Sequence, residues 1–361
     1  MDTGPTTGPT TGPTTGLPAA PAPELVRLPG HTDDEVVVLD GGTSTALHQA
    51  GHALDDAMWT ARLLVDDPEA LVAVHASFLA AGAQVVTTAS YQLAAESLAA
   101  SGRDPAELDA LLARSVELAR QAVDHHRTSR GGARRLVAAS VGPYGAVLAD
   151  GSEYRGGYGL SEEALVAFHA PRVAALVAAG ADVLACETCP SAIELAALAR
   201  VLAEVSTPAY VSVTLGADGT TTAEGQPLMD AFAPLLGRPN VIGVGVNCCP
   251  PELVGPALEL LAGAGLPLVV KPNIGERYDA TTRRWLPADP AAPGADRPPA
   301  TVEVGAWIAA GARLIGGCCG TTPADLGSLS RAVASSAGPS RPSRRRPARP
   351  GGGDDAAGPP A

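Results

Sequence analysis

The chain has six cysteines, and they fall at three places: Cys186 and Cys189 in ACETCP, Cys248 and Cys249 in GVNCCP, and Cys318 and Cys319 in IGGCCG. Thiols grouped this way pair as disulfides, fill small buried gaps, or act as thiolates in metal binding or redox chemistry. Adjacent cysteines can ligate one ion where the backbone turns sharply between them, and Gly316, Gly317 and Gly320 supply that freedom. Three thiolates with a fourth position open form the donor set of a catalytic zinc site, whereas a structural site closes with four protein ligands. A redox role for Cys186-x-x-Cys189 would want the pair at a helix start beside a thioredoxin-like sheet.

The elements that carry the clusters decide between these readings. Short, β-branched, apolar runs begin at Glu35, Ala83, Arg135, Asp182, Ala209, Asn240, Leu266 and Ala312, and amphipathic segments alternate with them. Near-continuous apolar runs of this kind are expected of parallel strands covered on both faces. Helix starts are marked at Asp67-Pro68 and Asp104-Pro105, and at Ser161 ahead of two glutamates. Further helical stretches follow Pro190, Gln226, Pro251, Ala300 and Pro323. Eight strands each followed by such a segment predict an α/β chain, a (β/α)8 TIM barrel in a single domain. A doubly wound sheet binding a dinucleotide would carry G-x-G-x-x-G after its first strand, and DGGTSTAL lacks that spacing.

In such a barrel, chemistry sits at the C-terminal ends of the strands. Asp40 ends strand one, Cys186-Glu187 strand four, Asn247-Cys248 strand six and Cys318-Cys319 strand eight. Strands six and eight are separated by one strand, which brings Cys248 near Cys318 and Cys319. Asp40 before two glycines could make a turn, and Glu187 could pair with an arginine, so each reads equally as site or structure. Thr87, Thr88, Ser90, Tyr91 and Gln92 follow strand two and are expected to line a pocket. Tyr144 and Tyr158, after strand three, are expected to form a lid. Trp59 and Trp307 read as core or pocket. The histidines assemble into no ligand set.

Net charge is −13, and the C-terminal tail is itself basic, so the remainder is more acidic still. An acidic body repels phosphate backbones and argues against nucleic acid as a partner. Apolar residues make up 46% and aromatics only 3%, so the core must be built from Ala, Val and Leu. No apolar run has membrane-spanning length and no signal-peptide pattern is present, so no membrane role and a cytoplasmic location are expected, where thiols stay reduced. Lys271, the one lysine among many arginines, reads as coding bias. Residues 1–25, with GPTTGPTTGPTTG, and the Arg/Pro/Gly-rich 338–361 offer nothing to bury and are expected to be disordered tails, leaving 26–337 as the barrel. Nothing indicates whether the chain is a monomer or a homodimer.

The GVNC run ending at Cys248 and the GGCCG run from Gly316 resemble the zinc motifs of the homocysteine S-methyltransferase family. LDGGTSTAL, GAQVVTTASYQ, SVGPYGAVLADGSEYRG, FHAPRVAALVAAGADVLACETCP and ARLIGGCCGTTPADL are similar to the bacterial branch that uses S-methylmethionine or S-adenosylmethionine. The likeness runs from about Leu28 to Val333. It implies Zn2+ held by Cys248, Cys318 and Cys319. It implies L-homocysteine held through its amino group by Asp40 and Glu187, a sulfonium methyl donor, and methionine as product. Thr87, Ser90, Tyr91 and Asn247 are the further substrate-binding candidates. Cys189 and Cys249 match no feature of the pattern and are expected to be bystanders. Lys271 stands before Pro272-Asn273 where an aromatic or apolar residue is expected, which bears on the donor side of the pocket. A betaine donor is the alternative within the family. A non-catalytic zinc-binding barrel is the alternative outside it, and storage has no use for carboxylates aimed at an amino acid.

Overall fold

Each apolar run forms a short strand because its β-branched side chains can be buried on both faces at once. The computed structural model describes residues 27–336, apart from 33, 55–57, 131–133, 276, 280–283 and 287–302; both expected tails lie outside the described residues. The strands are β1 Val37–Val38, β2 Val85–Thr87, β3 Leu136–Val141, β4 Val183–Cys189, β5 Ala209–Val213, β6 Val241–Asn247, β7 Leu268–Lys271 and β8 Ala312–Ile315. They pair in parallel in the order β1-β8-β7-β6-β5-β4-β3-β2. The bridge Leu39↔Val85 closes the ring. This is the expected (β/α)8 barrel. A small antiparallel hairpin, Arg277–Asp279 with Arg284–Leu286, lies between β7 and β8 in the chain.

Alternation along the strands divides the apolar residues into two sets. Val37, Leu39, Val85, Leu136, Ala138, Val183, Ala185, Tyr210, Ile242, Val269 and Leu314 pack together as one cluster, the layered filling of a small barrel. Their neighbours in sequence, such as Val38, Val86, Val137 and Leu184, join the larger cluster that also contains the helix residues Leu71, Phe78, Leu112, Leu195 and Leu258.

The β1–β2 seam is thinly laddered, and side chains complete it. Gln84 N donates to Val38 O at 2.7 Å, Val38 N donates to Gln84 Oε1 at 2.8 Å, and Thr87 N donates to Asp40 Oδ2 at 2.6 Å. Two side-chain oxygens thus stand where backbone carbonyls would, which satisfies amides that the two-residue β1 cannot reach.

All three helix caps read from the sequence are present, and one of them starts a 3-10 turn. Asp67 accepts from Ala70 N ahead of helix Pro68–Ala81, and Ser161 accepts from Ala164 N ahead of helix Glu162–Ala178. Asp104 caps Ala106 N, but the turn it starts, Pro105–Glu107, is a 3-10 turn, and the α-helix begins at Leu108. Among the described residues no helix is long and apolar enough to cross a membrane.

The fully buried Arg172 ties two loops together. Its guanidinium donates to Leu93 O at 2.7 Å, Gly142 O at 2.9 Å and Tyr91 O at 3.0 Å, which are carbonyls of the segments after β2 and β3. A planar fork with several fixed donors suits this role, and a lysine would not.

Candidate active site

A cavity of about 380 Å³ lies at the C-terminal ends of the strands. Gly41 and Gly42 after β1, Thr87 of β2, Thr88, Ala89, Tyr91 and Gln92 after β2, and Ser140 of β3 line it. Glu187 and Thr188 of β4, Cys248 after β6, Lys271 of β7, and Cys318 and Cys319 after β8 complete the wall, with Trp59, Glu153 and Tyr154 added from loops.

The Sγ atoms of Cys248, Cys318 and Cys319 all lie within 4.8 Å of one another, and Cys248 Sγ to Cys319 Sγ is 3.5 Å. Tetrahedral thiolates at about 2.3 Å from a zinc ion would stand about 3.8 Å apart, so the donor set fits a metal centre. Among the described residues no histidine or carboxylate joins this group. Backbone placement is specific. Cys248 N donates to Lys271 O at 2.9 Å and Cys318 N to Pro272 O at 2.8 Å. Cys248 takes φ +50° and Thr188 φ +63°, left-handed conformations that cost about 1–3 kcal/mol each outside glycine and cluster where side chains are aimed for a purpose. Of the glycines around Cys318-Cys319, only Gly320 has such a φ, +81°. Gly316 is needed for proximity instead, because a Cβ there would stand 2.6 Å from Asp40 O.

Hydrogen bonds from Cys248 and Cys319, helped by the Lys271 ammonium, hold the Cys318 thiol well below the usual range, while those two partners are pushed up. Asn247 Nδ2 faces Cys318 Sγ at 3.9 Å. The Asn247 carboxamide oxygen accepts from Thr188 N and from Ser212 Oγ, both at 2.7 Å, so Asn247 fixes the β4 bend and does not line the cavity.

Beside the thiols sit two carboxylates. Glu187 Oε1 accepts from Ser140 Oγ at 2.6 Å, and Glu187 Oε2 accepts from Lys271 Nζ at 3.2 Å. Asp40 is fully buried; it takes Thr87 N on one oxygen and Thr87 Oγ1 at 2.8 Å on the other, with Lys271 Nζ 3.6 Å away. Burial works against the Lys271 charge, but Glu187, Tyr210 and Asp40 outweigh it and hold the ammonium well above its ordinary range. Lysine 271 is thus part of the site, and its presence needs no appeal to coding bias.

Of the residues expected in the pocket, Thr87, Thr88, Tyr91 and Gln92 line it, although Thr87 spends its donors on Asp40. Ser90 lies behind the wall, with Oγ donating to Ser140 O at 2.7 Å and 2.7 Å from Thr88 Oγ1. Tyr144 and Tyr158 form no lid. They pack on each other, Tyr144 packs on Phe168, and Tyr158 donates to Glu194 at 3.2 Å. Trp59 lines the cavity, edge-on to Tyr91, and Trp307 is core. Cys186, Cys189 and Cys249 are buried among apolar side chains, apart from the thiol trio.

Of the cavity residues that the sequence reading did not single out, Glu153 and Tyr154 bear most on the chemistry. The Tyr154 hydroxyl lies 3.6 Å from Cys248 Sγ. Glu153 is 6% exposed, its Oε2 has no hydrogen-bond partner, and burial pushes its carboxyl up to about 7. Both sit in the SVGPYGAVLADGSEYRG run that carries the family likeness, where neither was singled out as a site residue.

The model of the homocysteine S-methyltransferase family matches residues 37–333. The chain is 48% identical to the homocysteine S-methyltransferase of Escherichia coli K12, over 82% of its own length and 94% of that protein. It is 41% identical to the Bacillus subtilis homocysteine S-methyltransferase YbgG, over 81% and 92% of the two chains. Among solved structures, the E. coli homocysteine methyltransferase MmuM in its metallated form is similar with a TM-score of 0.71 and 45% identity, covering 82% of this chain and 96% of that one. The barrel, the thiol trio at its mouth and these likenesses agree: the chain is a methyltransferase and belongs to the homocysteine S-methyltransferase family.

Proposed function

We propose that the protein transfers a methyl group from S-methylmethionine, or from S-adenosylmethionine, to the sulfur of L-homocysteine, giving methionine, with zinc as its metal. The observation that carries this reading is the convergence of Cys248, Cys318 and Cys319 beside Glu187 in one cavity. A metallated form of a relative with 45% identity supports a metal at the trio.

Zinc held by three thiolates and open at its fourth position would bind the homocysteine thiol, which otherwise titrates near pH 8.5, and favour its thiolate. The protein's own groups do the rest. Glu187, with Asp40 behind it, presents negative charge to the substrate ammonium. Tyr154 braces Cys248. Trp59 and Tyr91 offer aromatic faces to a cationic donor, an attraction of about 0.5–2 kcal/mol per contact. The ionised form of Glu153 adds an anionic wall. The homocysteine sulfur donates a lone pair to the methyl carbon, and the donor's C–S bond breaks with its electron pair going to the donor sulfur. That sulfur becomes a neutral thioether, and the thiol proton leaves to solvent. Positive and negative charge cancel in the transition state, which a dry, pre-arranged site favours.

The test is methionine formation from L-homocysteine by zinc-loaded protein, with S-methylmethionine, S-adenosylmethionine and betaine offered separately. Turnover with a sulfonium donor supports the reading. Turnover with betaine alone, or zinc binding without turnover, overturns it. Glu187→Gln should retain zinc and change kcat/KM by the same factor with either sulfonium donor, because the acceptor is common to both.

A further inference from the structure

Lys271 is the chain's one lysine, it is 3% exposed, and it points at the two carboxylates that the proposed function reserves for the substrate ammonium. Its Nζ is 3.2 Å from Glu187 Oε2 and 3.6 Å from Asp40 Oδ1. The other bonds of those carboxylates are committed. Ser140 takes the second oxygen of Glu187, and Thr87 donates to both oxygens of Asp40. Asp40 is completely buried and does not line the cavity, whereas Lys271 does. The pair of carboxylates therefore already has a cation, supplied by the protein, at the place where a substrate cation would be held.

We propose that Lys271 is an acceptor-specificity residue: a tethered ammonium that occupies the acceptor's amino site, so that thiols lacking an α-ammonium are bound nearly as well as amino-acid thiols. The inference rests on the proposed function for the assignment of that site, and it concerns which acceptors fit. An incoming ammonium must displace Lys271 or share its carboxylates, and either way the charge-assisted bonds it forms replace bonds of the same kind. The amino group then contributes little net affinity, and the enzyme loses the lever that separates homocysteine from its deamino analogue. Removing the lysine restores that lever, because two buried carboxylates are left seeking a cation.

Calorimetric titration of the zinc-loaded full chain with L-homocysteine and with 4-mercaptobutanoic acid, the same thiol without the amino group, reads this directly. For the wild type, the two dissociation constants should differ by less than about fivefold, and in Lys271→Met the preference for homocysteine should grow by about tenfold or more. A wild-type preference above fivefold overturns the inference, as does a preference unchanged by Lys271→Met or by Lys271→Gln. Near-UV circular dichroism checks that each variant is folded; should neither fold, the wild-type ratio decides alone. Failure of the proposed function has a different signature: no methionine from any donor, whatever the binding ratio.

Discussion

The Tyr154 hydroxyl stands 3.6 Å from Cys248 Sγ, joining the loop after β3 to the thiol trio. Burial pushes the Tyr154 phenol well up, so it remains a donor beside sulfur at any physiological pH. Groups that hold a metal's ligands in place are worth about ten- to a hundredfold in metal affinity when removed. Tyr154→Phe should therefore bind zinc about tenfold more weakly with the fold intact, as read by competition with a chromophoric chelator.

The trio itself should account for all the metal. Elemental analysis should find about one zinc per chain in the wild type and little in Cys248→Ala, Cys318→Ala or Cys319→Ala. Cys189→Ala and Cys249→Ala, which alter thiols buried in the apolar core, should retain it. Full metal in Cys318→Ala would refute the assignment.

Arg172→Met should be strongly destabilising. The substitution strands the carbonyls of Tyr91, Leu93 and Gly142 and should lower the unfolding free energy by about 3 kcal/mol or more in urea titrations. Arg172→Lys should recover only part of this, because a single ammonium cannot span three acceptors.

Glu153 should make stability fall as pH rises. Its folded pKa of about 7 lies above its ordinary 4.5, so the contribution is fully present below 4.5 and is lost as pH rises through 7. Glu153→Gln should accordingly gain on the wild type between pH 5 and 8, by roughly 3 kcal/mol at the upper end. Urea midpoints measured across that range check the sign. A constant difference would show that the carboxyl does not titrate there.

The barrel and its thiol trio were legible because their signals are local. Apolar runs give the strands, the strand ends give the face, and GVNC and GGCCG place the sulfur atoms. What escaped depends on packing between distant segments. Tyr144 and Tyr158 looked free to close over a pocket, but Phe168 and Glu194 offer them burial and a hydrogen bond. Ser90 and Asn247 spend their polar atoms on Ser140 and Thr188, which no spacing announces. Lys271 was noted for its place before Pro272-Asn273 and read toward the donor side of the pocket, because a single sequence does not show that Asp40 and Glu187 will flank it.

The side-chain rungs between β1 and β2 have a consequence for how the molecule breathes. A ring opens at its thinnest link, and here that link is fastened by Asp40, whose other neighbour is the Lys271 ammonium. One carboxylate therefore both fastens the link and faces the cation at the mouth. The Thr87 amide, which donates to Asp40, is in effect a gauge on the clasp: its exchange with deuterium reports whether the ring is shut, and occupancy of the site at the mouth should be readable there.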